Sequence, residues 1–234
     1  ALIAPLITFV LLSFNMIFSP VIADLYHRNR SDLLQPLFRS VTRWTIILSL
    51  PVFAWILVAG ETTLGIFGAE FVRGYDALVF YAIGLMISVS IGPVGIALAM
   101  TGYQKWNVLN AVVMAVVGIV LMVFLIPRIG IAGAGLASGA ANALVKLARL
   151  VQVRYLLKMS PYDRSTLKVA ATAAATVTVA LLVRRFIVIP PGIEWSVLVM
   201  LASLGLVALL TMAMGIEEED RLVLATVLRR FRRK

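Results

Sequence analysis

The sequence predicts an all-α, polytopic membrane protein, and three observations carry that prediction. Its 234 residues are 62% hydrophobic and 14% charged, with a mean hydropathy of +1.01, well above the apolar share of a soluble domain. The apolar residues gather into seven stretches of about the 20 residues that a helix needs to cross the hydrocarbon core. Lys and Arg concentrate in alternate connectors between those stretches, 17 against 4. That bias is the positive-inside signature of a multi-pass chain in the cell (cytoplasmic) membrane. It explains the net charge of +10 without nucleic acid.

The seven spans are expected at about 1–26, 41–60, 76–101, 106–126, 131–155, 167–189 and 196–214. The richly basic connectors (27–43, 101–106, 146–168) and the tail 215–234 fall on the cytoplasmic side. Residue 1 is then extracytoplasmic and the C-terminus cytoplasmic. The chain starts inside an apolar segment at Ala1 and reads as a piece of a longer protein.

Span one carries Asn15 in mid-helix and Pro20 below it; the proline frees a backbone carbonyl and bends the axis. The segment 27–43 reads as a short interfacial helix, with Ser31 as N-cap and Asp32 in its first turn. Pro36 is a point of interruption. Leu33, Leu34, Leu37 and Phe38 would face lipid, and Asp32, Gln35 and Arg39 would face water. Arg43 stands in the first turn of span two beside Trp44, where snorkelling accounts for it. Pro51 is a second mid-helix proline. In span three, Gly92, Pro93 and Gly95 predict a broken or flexible helix. Span four brings Lys105, Asn107 and Asn110 to its cytoplasmic end.

Span five follows a Pro-Gly turn and is built from very small residues. Gly135 and Gly139 have the GxxxG spacing that lets another helix approach closely. At about 100° per residue, Asn142, Lys146 and Arg149 continue the same face. Span six is rich in Thr, with Arg184 and Arg185 at its outer end, and span seven reads as plain scaffold. The tail, acidic at first and then basic, reads as an amphipathic segment on the anionic inner leaflet.

No enzyme constellation is present, so no catalytic residue is expected. There is no cysteine and a single histidine, His27, which leaves no multi-His or thiolate metal site, and no cofactor is expected. The acids are informative by position. Asp24, Asp32, Glu61, Glu70, Asp76, Asp163 and Glu194 all fall at span ends or in connectors, and the other four open the tail. Carriers of cations need an intramembrane carboxylate. This chain offers Asn15, Arg43, Lys105, Asn107, Asn110, Asn142, Lys146 and Arg149 instead, a set suited to an anion. For Lys146 and Arg149, snorkelling to headgroups is the competing explanation.

Four segments in order, FSPVIADLYHRNRSDLLQPLFRSVTRWTIILSLP, IFGAEFVRGYDAL, TGYQKWNVLNAVV and LIPRIGIAGAGLASG, span about residues 10–160. Together they resemble the C-terminal half of polysaccharide-type flippases of the multidrug/oligosaccharidyl-lipid/polysaccharide exporter superfamily. The resemblance implies that the seven spans are the C-terminal lobe of a two-lobed transporter, with an N-terminal lobe of the same protein as partner. It further implies an anionic lipid-linked glycan as substrate, moved to the outer leaflet by alternating access. Pro20, Pro51 and residues 92–95 would then be flexible points. A drug exporter or a peptidoglycan-precursor flippase of the same superfamily is the alternative. A seven-helix receptor or a scaffold is the reading from another class.

Because the chain lacks cysteine, its orientation can be tested directly. A membrane-impermeant maleimide is expected to label Arg128→Cys, and not Lys158→Cys, in sealed right-side-out vesicles. The reverse pattern would invert the assigned topology.

Overall fold

The structure, a computed structural model, describes residues 3–28, 30–187, 189–190 and 192–214. Among these it has nine helices: α1 (Leu6–His27), α2 (Ser31–Gly65), α3 (Ala69–Val72), α4 (Tyr75–Ser90), α5 (Val94–Met100), α6 (Gln104–Ile129), α7 (Ile131–Leu156), α8 (Arg164–Phe186) and α9 (Ile193–Met214). Six are long and apolar enough to cross a membrane alone. The pair α4 and α5, bent by 47° at a short break, makes a seventh span. The chain is thus an all-α, multi-pass membrane protein. The expected tail at 215–234 lies outside the described residues.

Two helices organise the bundle. α2 packs against α1, α4, α8 and α9, and α7 lies between α4 and α6. α6 turns outward: only 6% of its most apolar stretch is buried, against 72% for α2. An apolar helix left so bare fits a lipid-facing position.

α2 corrects one expectation. The interfacial helix and span two are one continuous helix of 35 residues, with Pro36 and Pro51 both inside it. It begins at Ser31 itself, with Arg30 at the cap position. Leu34, Leu37 and Phe38 do not face lipid. They are buried with Val41 against Phe18 and Ile22 of α1 and Val94 and Leu98 of α5. These four positions have the i, i+3, i+4, i+7 spacing of one helix face. Burying that face offsets the backbone hydrogen bond that Pro36 removes. Leu33 stays exposed, as expected.

Away from water, a polar group needs a partner inside the protein. α2 therefore holds its neighbours through hydroxyls and carbonyls. Ser49 donates to the Ile7 carbonyl of α1 at 2.8 Å. Tyr75 of α4 donates to the Leu57 carbonyl at 2.8 Å. Ser203 of α9 donates to the Pro51 carbonyl at 3.0 Å. Trp55 donates to Ser196 of α9 at 2.9 Å.

The contact of α7 with α4 is made by backbone. A methyl group at Gly84 would overlap the Gly139 backbone, one at Gly135 would overlap Ala77, and one at Gly139 would lie 2.7 Å from the Phe80 carbonyl oxygen. On its other side, Gly133 is closed in the same way by Leu125 of α6. Small residues give helices in lipid their van der Waals contact, since no hydrophobic drive is available there.

The break in span three needs its glycine. Gly92 has φ +79°, a conformation that L side chains rarely adopt, and Thr42 occupies the space a Cβ would fill. Thr42 is held there by donating to the Phe38 carbonyl at 2.8 Å. Pro20 and Pro51, by contrast, sit inside continuous helices.

Replacing Gly84 or Gly139 with Val is expected to force α4 and α7 apart and to cost about 1–3 kcal/mol, read as a lowered unfolding midpoint in detergent. Gly118→Ala, where the new methyl meets Ala141 at an ordinary 3.7 Å, should leave the midpoint unchanged.

Candidate functional site

The break at Gly92 opens onto a cavity of about 360 Å³ between α1, α5, α6 and α7, within the usual range of ligand sites of roughly 300–1,000 Å³. α1 supplies Thr8, Leu11, Leu12 and Asn15. Ser88 and the segment Pro93, Gly95, Ile96 and Ala99 form a second wall, and Asn107 a third. Asn142, Lys146 and Arg149 come from α7. Five of the residues singled out by chemistry thus line one space. No carboxylate is among the described lining residues.

The helical period explains the α7 wall. Asn142, Lys146 and Arg149 are spaced i, i+4, i+7 and so share a face. Gly135 and Gly139 press an earlier part of the helix onto α4, which brings the later polar part beside α5. Lys146 reaches back to the break, its Nζ 3.5 Å from the Gly92 carbonyl oxygen. Arg149 lies over α5: a Cβ on Gly95 would sit 3.2 Å from its Nη1. Asn107 donates to the Gly95 carbonyl at 2.8 Å, and Asn142 to the Ser138 carbonyl at 2.9 Å.

Several polar atoms here are buried without a partner: Asn15 Oδ1, Asn107 Oδ1 and Arg149 Nε. Leaving such a group unmatched costs about 1–3 kcal/mol, more for a charged one. Two cationic side chains one turn apart, with no acid beside them among the described residues, also repel each other most strongly where the dielectric is low. An anion in the cavity would relieve that repulsion and pair Arg149 Nε, whereas the two amide oxygens call for a donor.

The remaining candidates lie elsewhere. Lys105 is exposed at the start of α6. Asn110 is buried and exchanges two hydrogen bonds with Gln152 of α7, at 2.7 Å and 3.1 Å. That pair ties α6 to α7, and Gln152 was not singled out in the sequence. Its position ten residues after Asn142 gave no local signal, because the pairing runs across helices.

Arg43 does not snorkel to headgroups. Its side chain is only 3% exposed and pairs with Asp163 at 3.2 Å; its guanidinium also donates to Ser165. Asp163 caps α8, accepting from the Thr166 amide at 2.9 Å, while the Asp163 amide donates to Thr166 Oγ1 at 3.0 Å. The helix consequently starts at Arg164, earlier than the apolar run suggested. Burial pushes the Asp163 carboxyl up, but hydrogen bonds from Ser165 and Thr166 and the nearby Arg43 charge outweigh it and hold it below the usual carboxylate range.

At the opposite end of the bundle, Arg184 joins α8 to α2 and α4. It pairs with Glu61 at 2.9 Å, donates to the Tyr75 hydroxyl and stands 4.2 Å from the Tyr75 ring centre. A second cavity of about 550 Å³ lies between α2, α8 and α9. Its walls are apolar apart from Thr176 and Ser203, whose hydroxyls donate to backbone carbonyls.

Comparison with protein-family models and with curated proteins returns no match.

The Arg43–Asp163 pair carries a pH dependence of defined sign. Because the folded carboxyl titrates below its unfolded value of about 3.9, its contribution is complete above that value and is lost as pH falls through the folded one. Asp163→Asn is expected to lower the unfolding midpoint at neutral pH. The gap to the parent should close as pH drops below about 4. Equal midpoints at neutral pH would show that the pair contributes no stability.

Proposed function

We propose that this chain is the C-terminal lobe of a flippase that carries an anionic, lipid-linked oligosaccharide from the cytoplasmic to the outer leaflet. One observation carries the reading: Lys146 and Arg149 line a membrane-embedded cavity with three asparagines and no described carboxylate. Cations held away from water are retained where they meet an anion. The positive-charge bias puts this half of the bundle toward the cytoplasm, where a phosphate-linked glycan is presented. A cationic drug would instead call for an acid in the same place.

The cavity borders the bent span. A phosphate that attracts Lys146 away from the Gly92 carbonyl, and Arg149 away from the backbone at Gly95, acts on both sides of the break. α4 is packed backbone to backbone on α7, so a change of angle at the break would move α5 against the α1 and α2 side chains it packs on. Occupancy is thereby coupled to the angle of the span, as alternating access requires. A first lobe of the same protein closes the cavity on the side where α1 and α6 make no extended contact. The sugar crosses in the cavity while the lipid tail stays in the bilayer.

In the full-length protein, Lys146→Gln combined with Arg149→Gln is expected to reduce outward movement of a lipid-linked glycan at least about tenfold, the loss of one to two charge-assisted hydrogen bonds. Lys146→Arg should retain most of it. Unchanged export at normal membrane levels would remove the two residues from the transport path.

A further inference from the structure

The cavity holds more than positive charge. Its amides are oriented, and their orientation has a consequence for what the site accepts. Asn107 spends its Nδ2 on the Gly95 carbonyl at 2.8 Å, and its Oδ1 is buried without a partner. Asn142 spends its Nδ2 on the Ser138 carbonyl at 2.9 Å, which leaves its Oδ1 as the open end of the amide. A carbonyl oxygen can accept a hydrogen bond only from a donor, and a backbone carbonyl cannot supply one. Each backbone contact therefore prevents the amide from flipping and fixes the oxygen as the atom left to accept. Asn15 adds, on the α1 wall, another carbonyl oxygen buried without a partner.

We propose that Asn107 and Asn142 are specificity-determining residues: Lys146 and Arg149 hold the anionic group, and the two amide oxygens read hydroxyl or amide donors carried beside it. The proposal rests on the anion-transport reading and sharpens it. A bare lipid phosphate satisfies the cations but displaces water from the amide oxygens and gives nothing back. A site built around a hydrogen bond discriminates strongly against a ligand that lacks the matching group, because the buried partner is left unpaired. The same division explains how such a cavity avoids ordinary phosphodiester lipids, which are far more abundant around it than any glycosylated carrier. Charge alone would not distinguish the two. The structural role of the amides differs as well. The Asn142 bond stays within its own helix, whereas the Asn107 bond links α6 to α5, so Asn142 can be removed with less disturbance.

The test uses the full-length protein in nanodiscs and two probes of equal charge: farnesyl phosphoglucose and farnesyl methyl phosphate, both phosphodiesters with one negative charge. Binding is measured by titration calorimetry. The parent is expected to prefer the glucoside. Asn142→Leu and Asn107→Leu should each reduce that preference about two- to tenfold, the worth of one hydrogen bond, with affinity for the methyl diester unchanged. Lys146→Gln with Arg149→Gln should weaken both probes alike. If both probes bind but neither asparagine variant alters their ratio, the specificity assignment is overturned and the anion reading stands. If neither probe binds, or the Lys146 and Arg149 changes leave both affinities intact, the anion reading itself fails and takes the specificity assignment with it.

Discussion

The direct backbone contact between α4 and α7 is the constraint on which the rest of the molecule depends. Lipid tails are as apolar as leucine, so helices in a bilayer gain little from burying side chains against each other and must gain from close fit. Gly84 and Gly139 provide that fit with nothing between the two helix axes but main chain. Once α7 is seated on α4, its downstream face has one direction left to point. Asn142, Lys146 and Arg149 are delivered to the edge of α5, and α5 has already been turned by the break at Gly92. The cavity is a by-product of these two placements. No residue that creates it by position is among those that give it its chemistry.

α2 supplies the complementary restraint. It is the buried axis around which α1, α4, α8 and α9 are arranged, and hydroxyl-to-carbonyl or phenol-to-carbonyl bonds tie it to α1, α4 and α9. The two ends of the bundle are closed by ion pairs that both join α2 to α8: Arg43 with Asp163, and Arg184 with Glu61. Asp163 and Glu61, two of the acids that the sequence places at span ends, therefore have identifiable work, which is to neutralise arginines there. Lys146 and Arg149 stand out because, among the described residues, no such acid accompanies them in the cavity they line.

Much of this was legible in the residues. Seven apolar stretches correspond to six long helices and one bent pair, because twenty apolar residues in a row have few other fates. The break in span three was readable from Gly92 and Pro93, since one requires an unusual φ and the other lacks an N–H. The polar face of α7 followed from spacing alone. What misled was medium. The apolar face of 33–38 has the pattern of an interfacial helix, but amphipathicity records only that a face avoids water. It does not distinguish lipid from protein, and Leu34, Leu37 and Phe38 found protein. Arg43 was misplaced for a related reason. Snorkelling and ion pairing look alike until the acid, 120 residues away in sequence, is located.

The sequence by itself determined that the chain spans a membrane as helices, about where those helices run, where one of them breaks, and that no acid lies in the middle of a span. These properties depend on composition and short-range periodicity, which a linear reading contains. Only the tertiary structure decided which polar residues share a space. Asn15, Asn107, Asn142, Lys146 and Arg149 come from three helices, and their meeting is set by long-range packing. Asn110 has the same residue type and nearly the same position as Asn107, yet it is spent on Gln152. Which residues meet is set by how the helices pack, and α7 packs on α6 and α4 through close approaches at Gly133 and Gly139.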